Sequence, residues 1–445
     1  MSAPVEAGAL QYDAPPMRAL DVGIIGCGTA GSAAALFLAR AGHRVTVYER
    51  VPSPGPVGAG ITLQPTGLHV LCRLGLYQHV VSRGARIDRL LCESRARRPI
   101  VDLAYETVGE GLFGLGLHRG VLFEALFGSV RREPNVAVET GVEVIDLARA
   151  ESPTKGSPSR WSWLLGADGR RHGPHELVVV ADGARSQLRD DSSTSKRVER
   201  YPWGALWFVA RDPRDASDPM ARTLHQVVDG NHTFLGLLPT GLLPASRDSS
   251  LSPGPRLVSL FWSVRRDRVA AWRERGLDAW KEDVLELAKE AEPVLEQIQD
   301  EREVLFAEYH DVVMHRWHTR NVVYLGDAAH ATSPQLGQGC NLALWDAMEL
   351  HDCIEEESRD LAAALAQYSR RREEHLAFYQ TATRWLTPFF QGDEVVLGQV
   401  RDIAMPLMGK VSLFKRLMTL SMLGVMDGFL GRTLTLRLPA RTSEA

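Results

Sequence analysis

The residues from Leu20 to Glu49 restrict this chain more than any other part of it. Leu20 to Ile25 is a short apolar run, and Gly26-Cys27-Gly28-Thr29-Ala30-Gly31 is a glycine turn. Ser32 to Arg40 carries Ala and Leu at helical spacing, and Arg44 to Tyr48 alternates around Val45 and Val47 before Glu49. Strand, turn, helix and strand in about 30 residues make a βαβ unit. Within it Gly26 suits the tight turn, Gly28 lets the backbone approach a pyrophosphate, and Gly31 lets helix and strand pack closely. The helix start offers unpaired N–H groups and a partial positive charge to phosphates. Glu49 stands near the offset, about 20 residues on, at which an acidic side chain accepts hydrogen bonds from a ribose. Ala30 and Arg50 adjoin these positions and belong to the same candidate set.

Composition narrows the function classes. With 445 residues, 44% of them apolar, the chain can bury a large core and divides most simply into two domains. Lys+Arg 51 against Asp+Glu 55 leaves no basic excess to displace counterions from nucleic-acid phosphates. The five cysteines, Cys27, Cys72, Cys92, Cys340 and Cys353, show no CxxC spacing, which fits reduced cytoplasmic thiols and neither a disulfide framework nor a metal site. Residues 1–18 lack the apolar core of a signal peptide and read as a flexible tail. Leu417 to Met426 is apolar but far short of the roughly 20 residues that span a bilayer, so it reads as a buried or partner-facing helix, with membrane-surface contact the alternative.

Further along, Val57 to Leu63, centred on Gly60, reads either as a platform for a flat ring or as an ordinary connector before a helical pattern from Pro65 to Leu76. Of two Ala-Asp-Gly triplets, Ala167-Asp168-Gly169 reads as a hairpin turn. Ala181-Asp182-Gly183 instead follows the buried-strand run Leu177 to Val180, at the carboxyl end where open α/β sheets bind ligands. A third strand-like run, Asn321 to Leu325, leads into Gly326-Asp327-Ala328-Ala329-His330, Pro334 and Gly337-Gln338-Gly339-Cys340-Asn341, then a helix. Asp327 can accept hydroxyl hydrogen bonds from a sugar-like chain, and the helix beginning near Asn341 would aim its N–H groups at a ring lying on the glycines.

These pieces, in this order, resemble the single-component FAD-dependent aromatic hydroxylases, the class A flavoprotein monooxygenases, over roughly residues 20 to 360. The resemblance implies that Gly26, Gly28, Gly31 and Glu49 hold the ADP half of FAD and that Arg119, in His118-Arg119-Gly120-Val121-Leu122, contacts the cofactor. It implies that Asp182 serves FAD and NAD(P)H, that Gly326-Asp327 holds the ribityl chain, and that Pro334 and Gly337 to Asn341, with Gly339 and Cys340 among them, border the isoalloxazine. One departure is Val180, where the family often has a small residue.

The implied architecture is an α/β, Rossmann-like FAD-binding domain over 19–88, 116–190 and 315–370, with an inserted antiparallel-sheet substrate domain over 89–115 and 191–314. A helical C-terminal region covers 371–445. Trp203, Trp207, Phe234 and Phe261, with Trp262, are candidates to stack on a planar substrate, although aromatic residues are ordinary in strands. Residues 268 to 299 read as helical with Trp272 and Trp280 on a packed face, and Met418, Met422 and Met426 as a helical stripe packed on its own chain, a dimer interface or a pocket lid being the alternatives.

The reaction implied is hydroxylation of a phenolic or N-heteroaromatic small molecule with NADH or NADPH and O2, through a flavin C4a-hydroperoxide, in a cytoplasmic monomer or homodimer. The sequence singles out no catalytic base among His69, His118, His225, His232 and His330. The alternatives are an FAD-dependent reductase or oxidase of a non-aromatic substrate, and a non-catalytic FAD-binding protein. Trp161-Ser162-Trp163 superficially resembles a flavin-halogenase segment, but Leu165 replaces its Ile and the first lysine of the chain is Lys155, so halogenation is disfavoured.

Overall fold

The computed structural model describes residues 18–56, 58–150, 161–189, 195–244, 254–357 and 360–439. The tail expected before residue 18, and Val57 in the glycine loop, lie outside the described residues.

Asp21–Ile25 lies inside a six-stranded sheet in the order His318–Thr319, Val322–Tyr324, Leu177–Val180, Asp21–Ile25, Arg44–Glu49, Val136–Thr140. Every neighbouring pair is parallel except the His318–Thr319 edge. Leu177–Val180 is buried at every position, the unbroken apolar run expected of a parallel strand covered on both faces. The helix Thr29–Arg40 packs against the helix Gly339–Glu356, and its buried alanines allow the close approach. Val180, the departure from the family pattern, is wholly buried in the ladder opposite Ile25 and Tyr324.

The hairpin Ser162–Gly166 and Arg171–His175 turns at Ala167-Asp168-Gly169 and pairs with Val144–Arg149. Gly60–Leu63, Gly114–His118 and Ala85–Ile87 form a second small sheet. The largest sheet has seven strands, in the order Leu305–Met314, Ser195–Arg211, Leu257–Arg265, Thr233–Gly241, Thr223–Asp229, Arg89–Ser94, Pro99–Ala104. It is not purely antiparallel: Thr223–Asp229 runs parallel to Arg89–Ser94, because these strands come from separate stretches of chain and no hairpin joins them. The segment expected to be helical around 268–299 is three short helices, Val269–Arg275, Leu277–Leu287 and Glu292–Leu295, broken at Gly276 by its φ of 84° and again after Leu287. They cover one face of the sheet, with Trp280 buried and Trp272 edge-on to it at 6.0 Å.

The C-terminal helices are Leu361–Phe390, Val395–Lys410 and Ser412–Leu423. Asp360 caps the first, accepting from the N–H groups of Ala362 and Ala363. The expected three-methionine helical stripe is interrupted. The last helix ends at Leu423, Gly424 takes φ 86°, and Met426 leaves the helix for a bridge with Thr433. Met418 and Met422 pack near Leu103 and Tyr105, whereas Met426 joins the core of the six-stranded sheet. Among the described residues no helix is long and apolar enough to cross a membrane.

Candidate functional site

Three neighbouring parallel strands end at the same edge, and each is followed by one of the motifs. The Ala181 N–H donates to Ile25 O at 2.9 Å, and the Leu325 N–H to Val180 O at 3.0 Å, so the loops after residues 25, 180 and 324 start at one level. Gly26 has φ 98°, and a Cβ there would stand 2.6 Å from Ala181 O. A Cβ on Gly31 would stand 2.0 Å from Gly26 O, which no relaxation of a side chain relieves. Ala30 is buried against the third loop, 3.0 Å from where a Cβ on Gly326 would lie. The glycines thus let three backbones converge.

Two buried polar networks hold the loops together. Arg189 donates from Nε to Ala328 O at 2.6 Å, from Nη1 to Ser186 O at 2.8 Å and from Nη2 to Ala184 O at 3.0 Å, tying the second loop to the third. Asp346, on the helix Gly339–Glu356, accepts from the Gly326 N–H at 2.7 Å and pairs with His330 Nε2 at 2.5 Å and Arg372 Nε at 2.7 Å. Burial alone would raise its pKa, but the His330 and Arg372 charges outweigh it and hold the carboxyl down at about 2. The sequence places Asp346 on the helix after the third motif but gives neither it nor Arg372 a role, since only the fold brings residues 326, 346 and 372 together. For Asp346 the available signal was a carboxylate in an apolar helical pattern.

The space around the loops fits a dinucleotide. A Cβ on Gly28, Gly183 or Gly337 would meet nothing within 4 Å. Asp182 Oδ1 is buried without a protein partner, and burial raises the pKa of this carboxyl against the pull of Ser186 and Arg189. A buried acceptor left unpaired costs about 1–3 kcal/mol, so it calls for a donor from a bound molecule. Asp327, Arg50, Arg119, Pro334 and Gly339 are exposed, and Cys340 is half-buried with its thiol pushed up to about 11 by burial. Glu49 is buried, its carboxylate accepting from the N–H groups of Cys27 at 3.0 Å and Val51 at 2.9 Å.

Two candidate residues are arranged differently from expectation. Gly60 does not lie open to a ring: its N–H donates to Ser259 Oγ at 3.1 Å, and a Cβ would strike Ser259 and Thr240. Asn341 spends its amide inside the chain, accepting from the Gln64 N–H at 2.8 Å and donating to Thr62 O and Gly337 O. It fastens the glycine turn to the strand Gly60–Leu63, while the free N–H groups of its helix start remain those of the first turn.

Trp203, Trp207, Phe234 and Phe261 share one face of the seven-stranded sheet, opposite the face covered by the three short helices. The Trp207 and Phe261 rings lie 5.1 Å apart, Phe261 and Phe234 5.5 Å, and Phe234 and Phe390 5.9 Å. Ser259, on the same face two residues before Phe261, is the acceptor for Gly60, so this face meets the half of the molecule that carries the loops. Trp262 falls on the helix-covered side, as strand alternation requires. Beside Pro334, Ser333 lies 2.9 Å from Thr387 Oγ1, which itself donates to Thr383 O, so the Ser333 hydroxyl is the donor. Tyr201 also bonds Thr387, and burial pushes its phenol up to about 12.

Four of the five candidate histidines have structural duties. His69 bonds the Arg437 backbone, His118 caps the helix Arg119–Val130, and His225 sits between Glu93 and Glu290. His330 is locked to Asp346, and His232 is exposed on the turn before Thr233. A cleft of about 470 Å³ lined by His69, Cys72, Arg73, Thr435 and Arg437 shares no lining residue with the loops.

Comparison with known proteins decides the family. The model of the FAD binding domain matches residues 19–382. The chain belongs to this family. The FAD-binding chain is 28% identical over 361 residues to 6-methylpretetramide 4-monooxygenase of Streptomyces rimosus, covering 80% of each. It is 27% identical over 384 residues to 3-amino-4-hydroxybenzoate 2-monooxygenase of Streptomyces cremeus, covering 80% of this chain and 84% of that one. Its fold superposes on Klebsiella pneumoniae HpxO, solved with FAD and uric acid, with a TM-score of 0.70 at 21% identity, covering 91% of this chain and 97% of that one. These findings make the protein an FAD-dependent monooxygenase of the aromatic hydroxylase class.

Proposed function

We propose that this monooxygenase uses NADH or NADPH and O2 to hydroxylate a phenolic or N-heteroaromatic small molecule. The observation that carries the reading is the sheet face bearing Trp203, Trp207, Phe234 and Phe261, whose Ser259 accepts the N–H of Gly60 from the strand that Asn341 fastens to the glycine turn. Such a face favours a planar ring through offset and edge contacts, each worth about 0.5–1.5 kcal/mol beyond burial.

Gly26, Gly28, Gly31 and Glu49 would hold the ADP half of FAD, with Arg50 and Arg119 supplying positive charge from the rim. Asp182 would accept a hydrogen bond with its unpaired Oδ1, and Asp327 would receive the ribityl hydroxyls. When bound, FAD supplies the two-electron chemistry that links a nicotinamide donor to dioxygen. The chain's own part is positional and electrostatic. The first-turn N–H groups of Gly339–Glu356 would favour negative charge on the flavin ring, Pro334, Gly337, Gly339 and Cys340 would hold that ring, and the aromatic face would help to keep water from the substrate. The working division places cofactor binding on 19–88, 116–190 and 315–370, and substrate binding on 89–115 and 191–314.

The test is an oxygen-uptake and NAD(P)H-oxidation screen of the flavin-loaded chain with phenols and N-heteroaromatics, using isotopically labelled dioxygen. Label in the product of an aromatic compound supports the reading. Reduction of a substrate without oxygen consumption would instead make the protein a reductase.

A further inference from the structure

The cleft beside His69 lies apart from the flavin loops and has the size of a binding site. Its volume of about 470 Å³ falls within the range of about 300–1,000 Å³ common to small-molecule pockets. One wall is the end of the helix Pro65–Arg73, which presents His69, Cys72 and Arg73. The other is the extended segment 433–438, which presents Thr435 and Arg437. The Leu434 N–H donates to Val425 O at 2.8 Å, and Leu434, Leu436 and Leu438 pack on the core of the six-stranded sheet. The alternate residues, Thr435 and Arg437, are thereby turned away from that core and line the cleft.

Hydrogen bonding fixes what these walls offer a ligand. The Arg437 N–H donates to His69 Nδ1 at 2.9 Å, closer than the 3.1 Å from that atom to Arg437 O. A protonated Nδ1 would set two hydrogens against each other in that contact, so the imidazole proton sits on Nε2. His69 is 7% exposed and its ring lies 5.6 Å from that of Trp345; burial lowers its pKa and keeps it neutral. Its Nε2–H has no protein partner among the described residues. Burial also pushes the Cys72 thiol up to about 11, so Cys72 is an uncharged, largely apolar wall. Arg73 spends both Nη atoms on Asp352, at 2.6 and 2.7 Å, which neutralises it. Arg437 is exposed, and its guanidinium has no ion pair or hydrogen bond among the described residues. The cleft therefore offers one free positive charge, N–H and O–H donors and apolar surface, and no carboxylate lines it. A single charge with a guanidinium fork suits a carboxylate better than a doubly charged phosphate. We propose that this cleft is a second binding site, for a small organic monocarboxylate, with the carboxylate held by Arg437 and His69 Nε2 and an apolar body lying against Cys72.

Isothermal titration calorimetry of the FAD-loaded full chain with sodium benzoate, read beside the flavin absorbance, tests this. Benzoate is expected to bind with a Kd of about 1 mM or tighter without disturbing the flavin spectrum. Arg437→Gln should weaken that binding about tenfold or more, and uncharged benzamide should bind the wild type more weakly by a similar factor. Cys72→Trp, which fills the cleft, should abolish it, and Trp207→Ala should leave it unchanged. No binding up to about 20 mM overturns the proposal. So does a benzoate affinity that neither Arg437→Gln nor Cys72→Trp moves. Inorganic phosphate bound as tightly as benzoate would overturn it in favour of a bare anion patch. A sole binding event that shifts the flavin absorbance and disappears in Trp207→Ala would place benzoate on the aromatic face and leave the cleft without a ligand.

Discussion

The two large sheets build their sites by opposite means. At the edge of the six-stranded sheet, glycines and backbone groups do the work: Gly26, Gly31 and Gly326 are where they are because a Cβ would collide with backbone or with a neighbouring alanine. On the seven-stranded sheet, side chains do it, through Trp207, Phe261 and Phe234 arrayed on one face. A backbone-built site tolerates almost no change but accepts one ligand class. A side-chain-built site tolerates many changes and can be retuned to different rings.

The sharpest way to break the comparison is Gly31→Val. The added atoms meet Gly26 O, so the chain is expected to lose more than about 3 kcal/mol of stability and its flavin. Thermal melts and visible absorbance check this, and a stable yellow variant would refute the backbone account. Next comes Asp346→Asn. Leaving Arg372 and His330 buried without their carboxylate should cost about 3–5 kcal/mol, measured by denaturant unfolding. The exposed pair Arg89 and Asp102 gives the scale for a surface contact: Arg89→Ala should cost under about 1 kcal/mol.

Acid should act on the six-stranded side as well. His43 is pushed down to about 4 by burial, with His351 adding to it, so between about pH 6.5 and 4 the unfolded chain binds more protons than the folded one. Stability is then complete above pH 6.5 and falls as pH drops, by up to about 1.4 kcal/mol per unit for this one group. Thermal melts from pH 7.5 to 5 should show the decline, and His43→Gln should flatten it. The mildest change sharpens the contrast from the other sheet. Phe261→Leu should cost no more than about 1.5 kcal/mol and leave flavin content unchanged. It should still shift kcat/KM among aromatic substrates several-fold, as read in steady-state oxygen uptake.

That asymmetry also explains what could be read in the sequence. The βαβ unit, the hairpin at Asp168 and the strand before Asp182 were legible because local pattern and glycine chemistry dictate them. The parallel pairing of Thr223–Asp229 with Arg89–Ser94 was not, since no local signal records which distant strand a segment will join. Asn341 looked like a ring neighbour from its place in the motif. Its amide instead serves Gln64, Thr62 and Gly337, two of them nearly 280 residues away in the chain. The end of the methionine stripe at Gly424 was written in a glycine that the period-four spacing of methionines overrode. The ion pair of Asp346 with Arg372 joins two helices that only the finished fold sets side by side.

The most direct measurement is a fluorescence titration of the flavin-stripped full chain with FAD, run beside Asp182→Ala and Trp207→Ala. The account predicts one FAD per chain, an affinity about tenfold or more weaker in Asp182→Ala, and no change in Trp207→Ala. Equal losses in both variants, or full-strength binding by Asp182→Ala, would contradict it.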